Sequence, residues 1–344
     1  MSAACPALPV AVTMGDPAGI GPDIIIAAWR IVRERGLPRF VVYGDPEVFA
    51  GRAAALGAEL ALLPLAAPVV SAPGAGPELP IISVGPAGPV VAGQPSAFSA
   101  GATLAAIDRA TADVLAGRAA ALVTAPITKA VLYAAGFRHP GHTEYLAHLA
   151  TIARGGAAIR PVMMLACDEL RVVPATIHIP LRDVPQVLTA ELLEHTILAT
   201  ESALKQDFGL KAPRIAVCGL NPHAGEQGTI GREDRDLIAP VVAALAARGL
   251  RVAGPRPADT MFHAAARTQY DAAIAMYHDQ ALIPAKTLAF DRAVNVTLGL
   301  PFVRTSPDHG TAYDIAGSGQ ANPESFIAAL KMAAGMAQSR ASLG

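Results

Sequence analysis

Charge is scarce in this chain. Asp, Glu, Lys and Arg make up 16% of its 344 residues, against about 25% in an ordinary soluble domain. What charge there is cancels, with 27 basic and 28 acidic residues and a formal net charge of -1. No long-range field draws in nucleic acid or an anionic membrane, so small-molecule work is the default expectation. Cysteine is nearly absent: Cys5, Cys167 and Cys218 are far apart, form no CxxC pair and make an odd count. That excludes a disulfide framework and a thiolate zinc knuckle, and fits a reducing cytoplasm. The apolar runs are short, Pro240 to Ala247 being among the longest, where a bilayer needs about 20 residues. The opening MSAACPALPVAVTMGDP lacks a basic start and meets Gly15 and Asp16 before an apolar stretch of signal type is complete, so it reads as a first strand.

What the chain has in abundance is apolar residues, 52% of the total, enough for a large core and an oligomer face. Short β-rich runs (ALPVAVTM, RFVVYG, AALVTAP, RVVPATIH, RIAVCGL, DAAIAMY) alternate with Ala- and Leu-rich stretches at Ile20–Arg35, Gly101–Ala116, Ala190–Gln206 and Glu233–Arg248. The first set reads as strands and the second as helices. This alternation predicts an α/β protein with a mainly parallel sheet covered on both faces. From Leu63 to Gly93 the chain is rich in Pro, Gly and Ala, and is expected to be irregular or a small hairpin. Length and the lack of a clean linker predict two intimately joined domains.

Three strand runs each deliver a histidine where the strand gives way to a loop: His178, His223 and His278. Ligands of open α/β sheets bind beyond the carboxyl ends of parallel strands. Three imidazoles there can share one divalent ion and leave coordination positions open, as in a catalytic metal site. From the spacing alone, three unrelated loop-entrance histidines are the better reading, since no HExxH-type signature is present. Asp279 follows His278, and Asp259 lies upstream in GPRPADT. Either can orient a ligand imidazole or act as general base, and Asp259 can also be a helix N-cap. In GHTEYLA, His142 and Thr143 stand at an expected helix start, suited to a phosphate or carboxylate or to a plain Thr143 N-cap.

The densest chemistry lies between residues 276 and 317, with two His, four Asp, one Lys and two Arg. Lys286, Asn295 and Arg304 recur there at nine-residue intervals and can clamp an anion or be solvated surface residues. Lys129, ending TAPITK, can meet substrate or cap a helix. Gly15, Gly19 and Gly21 match neither GxGxxG nor GxxxxGK[ST], so neither a Rossmann fingerprint nor a P-loop is read here.

HGTAYDIAG, His309 to Gly317, is similar to the adenosine-binding loop of the isocitrate and isopropylmalate dehydrogenase superfamily, and GDPAGIGPDI looks like an expanded form of its N-terminal GDGIGPE loop. With GHTEYLA, IHIPLRDV, GLNPHAGEQGTIGREDRD, GPRPADT, AMYHDQALIPAK and VNVTLGLPFVRTSPDHGTAYDIAG, the chain resembles the 4-hydroxythreonine-4-phosphate dehydrogenase family over nearly its full length. It departs at Ala125, where members often have Gly, and in the long Leu63–Gly93 segment.

The resemblance implies two α/β domains around a cleft, isocitrate/isopropylmalate dehydrogenase-like, with approximate boundaries 1–135 plus 295–344 for the nucleotide-binding domain and 136–294 for the metal, substrate and dimerisation domain. It implies that His178, His223 and His278 bind a divalent ion, zinc or alternatively magnesium, cobalt or manganese. His142, Thr143, Lys286, Asn295 and Arg304 would bind substrate, and His309, Gly310, Thr311, Asp314 and Ile315 the cofactor. Asp259, Asp279 and Lys129 are the candidates for moving the substrate's hydroxyl proton. It further implies a homodimer whose active sites are completed across the interface, with no nucleic-acid or membrane partner. Within the superfamily an acidic residue in the loop accepts from the ribose hydroxyls of NAD, so Asp314, which would repel the 2′-phosphate of NADP, predicts NAD. The implied reaction is oxidation and decarboxylation of 4-phosphooxy-L-threonine on the way to pyridoxine 5′-phosphate. Two alternatives remain open: a sister dehydrogenase for phosphorylated threonate, erythronate or an aromatic dihydrodiol dicarboxylate, and a three-His metallohydrolase.

Overall fold

The computed structural model describes residues 8–68 and 78–343. Cys5 and the part of the Leu63–Gly93 segment at 69–77 lie outside the described residues. Twelve strands occur among those described: β1 (Val10–Thr13), β2 (Phe40–Gly44), β3 (Ala61–Pro64), β4 (Glu78–Ser83), β5 (Leu122–Thr124), β6 (Val162–Ala166), β7 (Arg171–Pro174), β8 (Ile215–Cys218), β9 (Val252–Arg256), β10 (Ala272–Ala275), β11 (Val294–Leu298) and β12 (Arg304–Pro307). The chain divides into two compact units, the first of residues 1–161 and 300–338 and the second of residues 162–299 and 339–344. The resemblance places boundaries at 135/136 and 294/295. The second of these would cut through β11 (Val294–Leu298), whose ladder to β6 is continuous.

In the first unit the strand order is β3-β4-β2-β1-β5-β12, and every pairing is parallel. All residues of β1 and β2 are buried, so both faces are covered, as their unbroken VAVT and FVVYG runs demand. Each fully buried Val there contributes about 1.5–3 kcal/mol. Phe40 is gripped edge-on by Trp29 and Phe326, with ring centroids 5.2 and 6.1 Å away. The Leu63–Gly93 segment is not a hairpin: β3 and β4 pair in parallel, because β4 (ELPIIS) has an apolar centre that is buried beside β2. The first helix ends at Arg30 rather than Arg35. Beyond it, residues 31–36 form turns that close at Gly36, whose φ of +55° ends helical continuation.

In the second unit the order is β11-β6-β7-β10-β8-β9. The β11/β6 and β6/β7 pairs are antiparallel, while β7, β10, β8 and β9 run parallel. The Ala190–Gln206 helix is as expected and is capped by Thr189, whose hydroxyl accepts from Leu192 N at 3.1 Å. The expected Glu233–Arg248 helix begins as a π-helical turn, Asp234–Ile238, before the regular Ala239–Ala247 segment. Pro240 stands near the start of that segment, where its missing N–H and fixed φ are tolerated. Among the described residues no helix is long and apolar enough to cross a membrane.

Candidate functional site

Parallel β7, β10, β8 and β9 of the second unit all open at their carboxyl ends into loops, and these carry, in spatial order, His178, His278, His223 and Asp259. Neighbouring strands sit about 4.8 Å apart, so His178 and His278 come from adjacent strands and their ring centroids are 5.6 Å apart. Between their loops lies a cavity of about 340 Å³ lined by Thr176, His178, Tyr277, His278 and Asp279. His278 is the first residue of the helix His278–Ala289, and its Nδ1 lies 2.7 Å from Asp279 Oδ1. A carboxylate on Nδ1 fixes the ring and leaves Nε2 for an ion, the usual arrangement of a metal-ligating histidine. Asp279 meets His278 through Oδ1, and its side chain is 71% exposed. Asp259 is exposed, in the single turn Ala258–Thr260, and caps no helix: Pro257 holds the cap position without a side-chain bond.

His223 enters on a different backbone. Five consecutive residues, His223, Ala224, Gly225, Glu226 and Gln227, have φ of +52°, +52°, +75°, +40° and +61°, and His178 has φ +48°. Each non-glycine residue held there costs about 1–3 kcal/mol. The surroundings must therefore impose the conformation. Asp234, 1% exposed, holds the stem just before the turn: its carboxylate accepts from Leu220 N at 2.8 Å and from Asn221 N and Nδ2 at 3.1 and 2.9 Å. Among the described residues no group of three or more His, Cys, Asp or Glu is gathered closely enough to hold an ion. The donor set fits a divalent cation in chemistry, with His178 and His278 already paired and His223 presented from the next strand.

Lys286 lies two turns after His278 on the same helix, its Nζ 5.7 Å from the Phe290 ring centroid. Asn295 is half-buried in β11. The other expected anion ligands belong to the first unit. His142 opens the helix His142–Arg154, with Gly141 rather than Thr143 at the N-cap and no side-chain capping bond. Thr143 stands one position further in, so its hydroxyl is not spent on capping the helix. Burial and the nearby Arg304 guanidinium hold His142 well below its ordinary pKa, and its buried Nε2 has no hydrogen-bond partner. Arg304, 3% exposed, donates to Thr124 Oγ1 at 2.6 Å. Burial lowers its pKa to about 10 while Glu144 opposes the shift, so the guanidinium stays charged at neutral pH. A Cβ on Gly141 would lie 3.1 Å from Glu144 Oε2 and 3.5 Å from Lys129 Nζ, which places Lys129 beside the same helix start. A buried cation, a helix N-terminus and an unspent imidazole nitrogen together suit an anion.

The remaining cluster lies at the carboxyl ends of adjacent parallel β1, β5 and β12. Gly15, at φ +72°, leaves no room for a side chain, since a Cβ would sit 2.5 Å from Pro126 O, and a Cβ on Gly19 would sit 2.9 Å from Thr311 O. The loop glycines are therefore set by close backbone approach. Tyr313 donates to Asp16 Oδ2 at 2.6 Å and its oxygen also touches Thr128 Oγ1, which in turn is 3.1 Å from Thr311 Oγ1. A phenol has one proton and a carboxylate only accepts. The chain is thus ordered, Thr311 donating to Thr128, Thr128 to Tyr313 and Tyr313 to Asp16. Burial, then Asp16, raises the Tyr313 pKa to about 12. Arg52, 5% exposed, pairs with Asp23 and donates to Gly19 O and Pro17 O at 2.8 and 2.9 Å. Asp23 accepts from Gly317 N at 2.7 Å. Asp314 is exposed, His309, Thr311 and Ile315 half-buried, and Gly310 exposed. Asp16, Asp23 and Tyr313 carry no signal of function in the sequence beyond lying in the two resemblance loops, and Arg52 and Thr128 lie outside both.

A family model described as "Pyridoxal phosphate biosynthetic protein PdxA" matches residues 37–333. A 4-hydroxythreonine-4-phosphate dehydrogenase of Bradyrhizobium diazoefficiens is 55% identical over 342 residues, covering 97% of this chain and 98% of that protein. The crystal structure of a 4-hydroxythreonine-4-phosphate dehydrogenase from Klebsiella pneumoniae superposes with a TM-score of 0.86 at 40% identity, over 96% of this chain and 100% of that one. A terephthalate 1,2-cis-dihydrodiol dehydrogenase from Burkholderia xenovorans is more distant, with a TM-score of 0.64 and 30% identity over 96% of this chain and 98% of that one.

Proposed function

The chain belongs to the family of pyridoxal phosphate biosynthetic proteins PdxA, and from that membership we propose that it oxidises 4-phosphooxy-L-threonine with NAD to 2-amino-3-oxo-4-phosphooxybutanoate. Decarboxylation then gives 3-amino-1-hydroxyacetone phosphate. The observation that carries the reading is the pairing of His178 with His278 at adjacent strand ends, in a chain so close to named dehydrogenases. The dihydrodiol alternative rests on a more distant likeness, and a metallohydrolase leaves the knitted loops around Tyr313 without a purpose.

When bound, a divalent ion supplies Lewis acidity to the 3-hydroxyl and the ketone, and NAD supplies the hydride acceptor. The chain's own residues do the rest. His178, His223 and His278 hold the ion, zinc or alternatively magnesium, cobalt or manganese, with Asp279 fixing the ring of His278. Arg304, His142 and Thr143 hold an anionic group of the substrate, and His142, kept neutral by Arg304 and burial, adds no charge to it. Lys286 and Asn295 provide further polar contacts to the substrate. Asp259 or Asp279 takes the hydroxyl proton, with Lys129 the weaker candidate; Asp279 faces His278 through Oδ1 alone. The loop of His309, Gly310, Thr311, Asp314 and Ile315 receives the adenosine half of NAD, and the Asp314 carboxylate disfavours NADP. We further read the enzyme as a cytoplasmic homodimer with active sites completed across the interface. Ile283 and Phe290, 64% and 74% exposed on the helix that begins at His278, support a covered face there, and the buried free thiols Cys167 and Cys218 suit a reducing compartment.

The test is a substrate panel. NADH formation should be faster by kcat/KM for phosphothreonine than for phosphothreonate, phosphoerythronate or the terephthalate dihydrodiol. Preference for one of the others would reassign the substrate within the same scaffold. Asp314→Lys should move the NAD to NADP ratio toward NADP, and an unchanged ratio would remove Asp314 from the cofactor site.

A further inference from the structure

The four strand-end loops of the second unit are joined by one line of hydrogen bonds, and a single side chain closes its widest gap. Thr176, two residues before His178, donates from Oγ1 and N to Met276 O at 2.7 and 3.3 Å. Met276, two residues before His278, donates from N to Gln280 Oε1 at 2.6 Å. Gln280 Nε2 donates to Gly219 O at 2.8 Å, on the stem of the His223 loop, and Gly219 N donates to Arg256 O at 2.8 Å, at the start of the Asp259 loop. The amide has only one workable orientation. Met276 N–H needs an acceptor and Gly219 C=O needs a donor, so a flipped Gln280 would lose both bonds. Gly219 O lies beyond the ladder of β8, Ile215–Cys218, and Gln280 takes the place of a strand partner there.

We propose that Gln280 is the positioning residue of the histidine set: its amide clamps the His278 and His223 stems at fixed separation, with Thr176 fixing the His178 stem to the same point. This rests on the metal-binding reading of the three histidines. Both polar atoms of the Gln280 amide are engaged by backbone, at Met276 N and Gly219 O. Gln280 fixes the stems only, while the left-handed turn from His223 to Gln227 sets where the His223 ring points. Loss of the clamp therefore loosens the spacing of ligands that are each intact.

The experiment is titration of the metal-free protein with Co(II), followed by its visible absorption, which reports ligand geometry independently of turnover. Gln280→Met keeps the side chain's length and removes both bonds. It should weaken Co(II) binding about 10- to 100-fold, the usual scale for a residue supporting a ligand, and alter the spectrum, while NAD affinity stays within about twofold. Gln280→Glu keeps the acceptor for Met276 N and sets a carboxylate oxygen against Gly219 O. It should weaken Co(II) as well, and it decides the matter if Gln280→Met does not fold. Wild-type affinity and spectrum in either folded variant would overturn the clamp. Wild-type protein that binds no Co(II) would overturn the histidine reading itself, a result distinct from intact binding in both wild type and variants.

Discussion

The strand-end loops of the two units are built on opposite plans. In the first unit, the loops after β1, β5 and β12 are locked together by Tyr313 on Asp16 and Thr128 and by Asp23 on Gly317 N, and buried Arg52 pins Asp23, Gly19 and Pro17 from the helix Pro46–Ala55. In the second, among the described residues, the loops bearing His178 and His223 hold left-handed backbone at five non-glycine residues, against Ala312 alone in the first unit, and are tied together at their stems rather than at the imidazoles. One set stands complete as built. The other stores strain near its ligands and, among the described residues, has not gathered three donors around a point. A cofactor-binding crevice that must accept a large, many-contact dinucleotide gains from preorganisation, whereas a metal site can recover strain from the ion that completes it.

Breaking the first plan should have the largest effect. Arg52→Leu leaves Asp23 buried without its cation and should cost about 3–5 kcal/mol in urea unfolding; a cost below about 1 kcal/mol would mean that the lock contributes little. Next comes His223→Ala, which removes a proposed ligand and a residue at positive φ together. It should abolish stoichiometric metal binding while leaving the metal-free protein as stable as wild type or slightly more so, and metal retained at full stoichiometry would remove His223 from the ligand set. Tyr313→Phe deletes the central hydroxyl of the ordered chain, worth about 1–2 kcal/mol, and should raise KM for NAD about 5- to 30-fold. The KM for phosphothreonine should change far less, and equal changes in both would make Tyr313 a general structural residue.

The smallest expected effect is on pH. His142 has a folded pKa below its unfolded value, so the unfolded chain binds its proton first as pH falls. Stability from this group is complete above the unfolded pKa near 6.5 and declines as pH drops beneath it. His142→Gln should flatten that part of the unfolding profile, and an unchanged profile would show that the imidazole is not held neutral.

The contrast also separates what the sequence discloses from what it hides. His178, His223 and His278 were legible because each closes a strand-like run, and parallel topology then sends all three to one edge of the sheet. The HGTAYDIAG loop was legible by resemblance. The left-handed turn was not, since HAGEQ holds one glycine and four residues that normally avoid positive φ. Arg52 reads as a surface residue of an Ala-rich helix, yet it is buried against Pro17, Gly19 and Asp23 in the loop after β1 and the helix that follows it. Gln280 beside HD looks like an ordinary helix residue until the separate strand ends are placed side by side. The parallel pairing of β3 with β4 was hidden for a similar reason, since a Pro- and Gly-rich composition masks a strand whose burial comes from β2.

The most direct test of the dehydrogenase reading is a coupled stoichiometry. With phosphothreonine, NAD and a divalent ion, NADH and CO2 should appear in equal amounts, and a chelator should stop both. Inorganic phosphate released without NADH, or NADH formed at full rate with the metal removed, would contradict it.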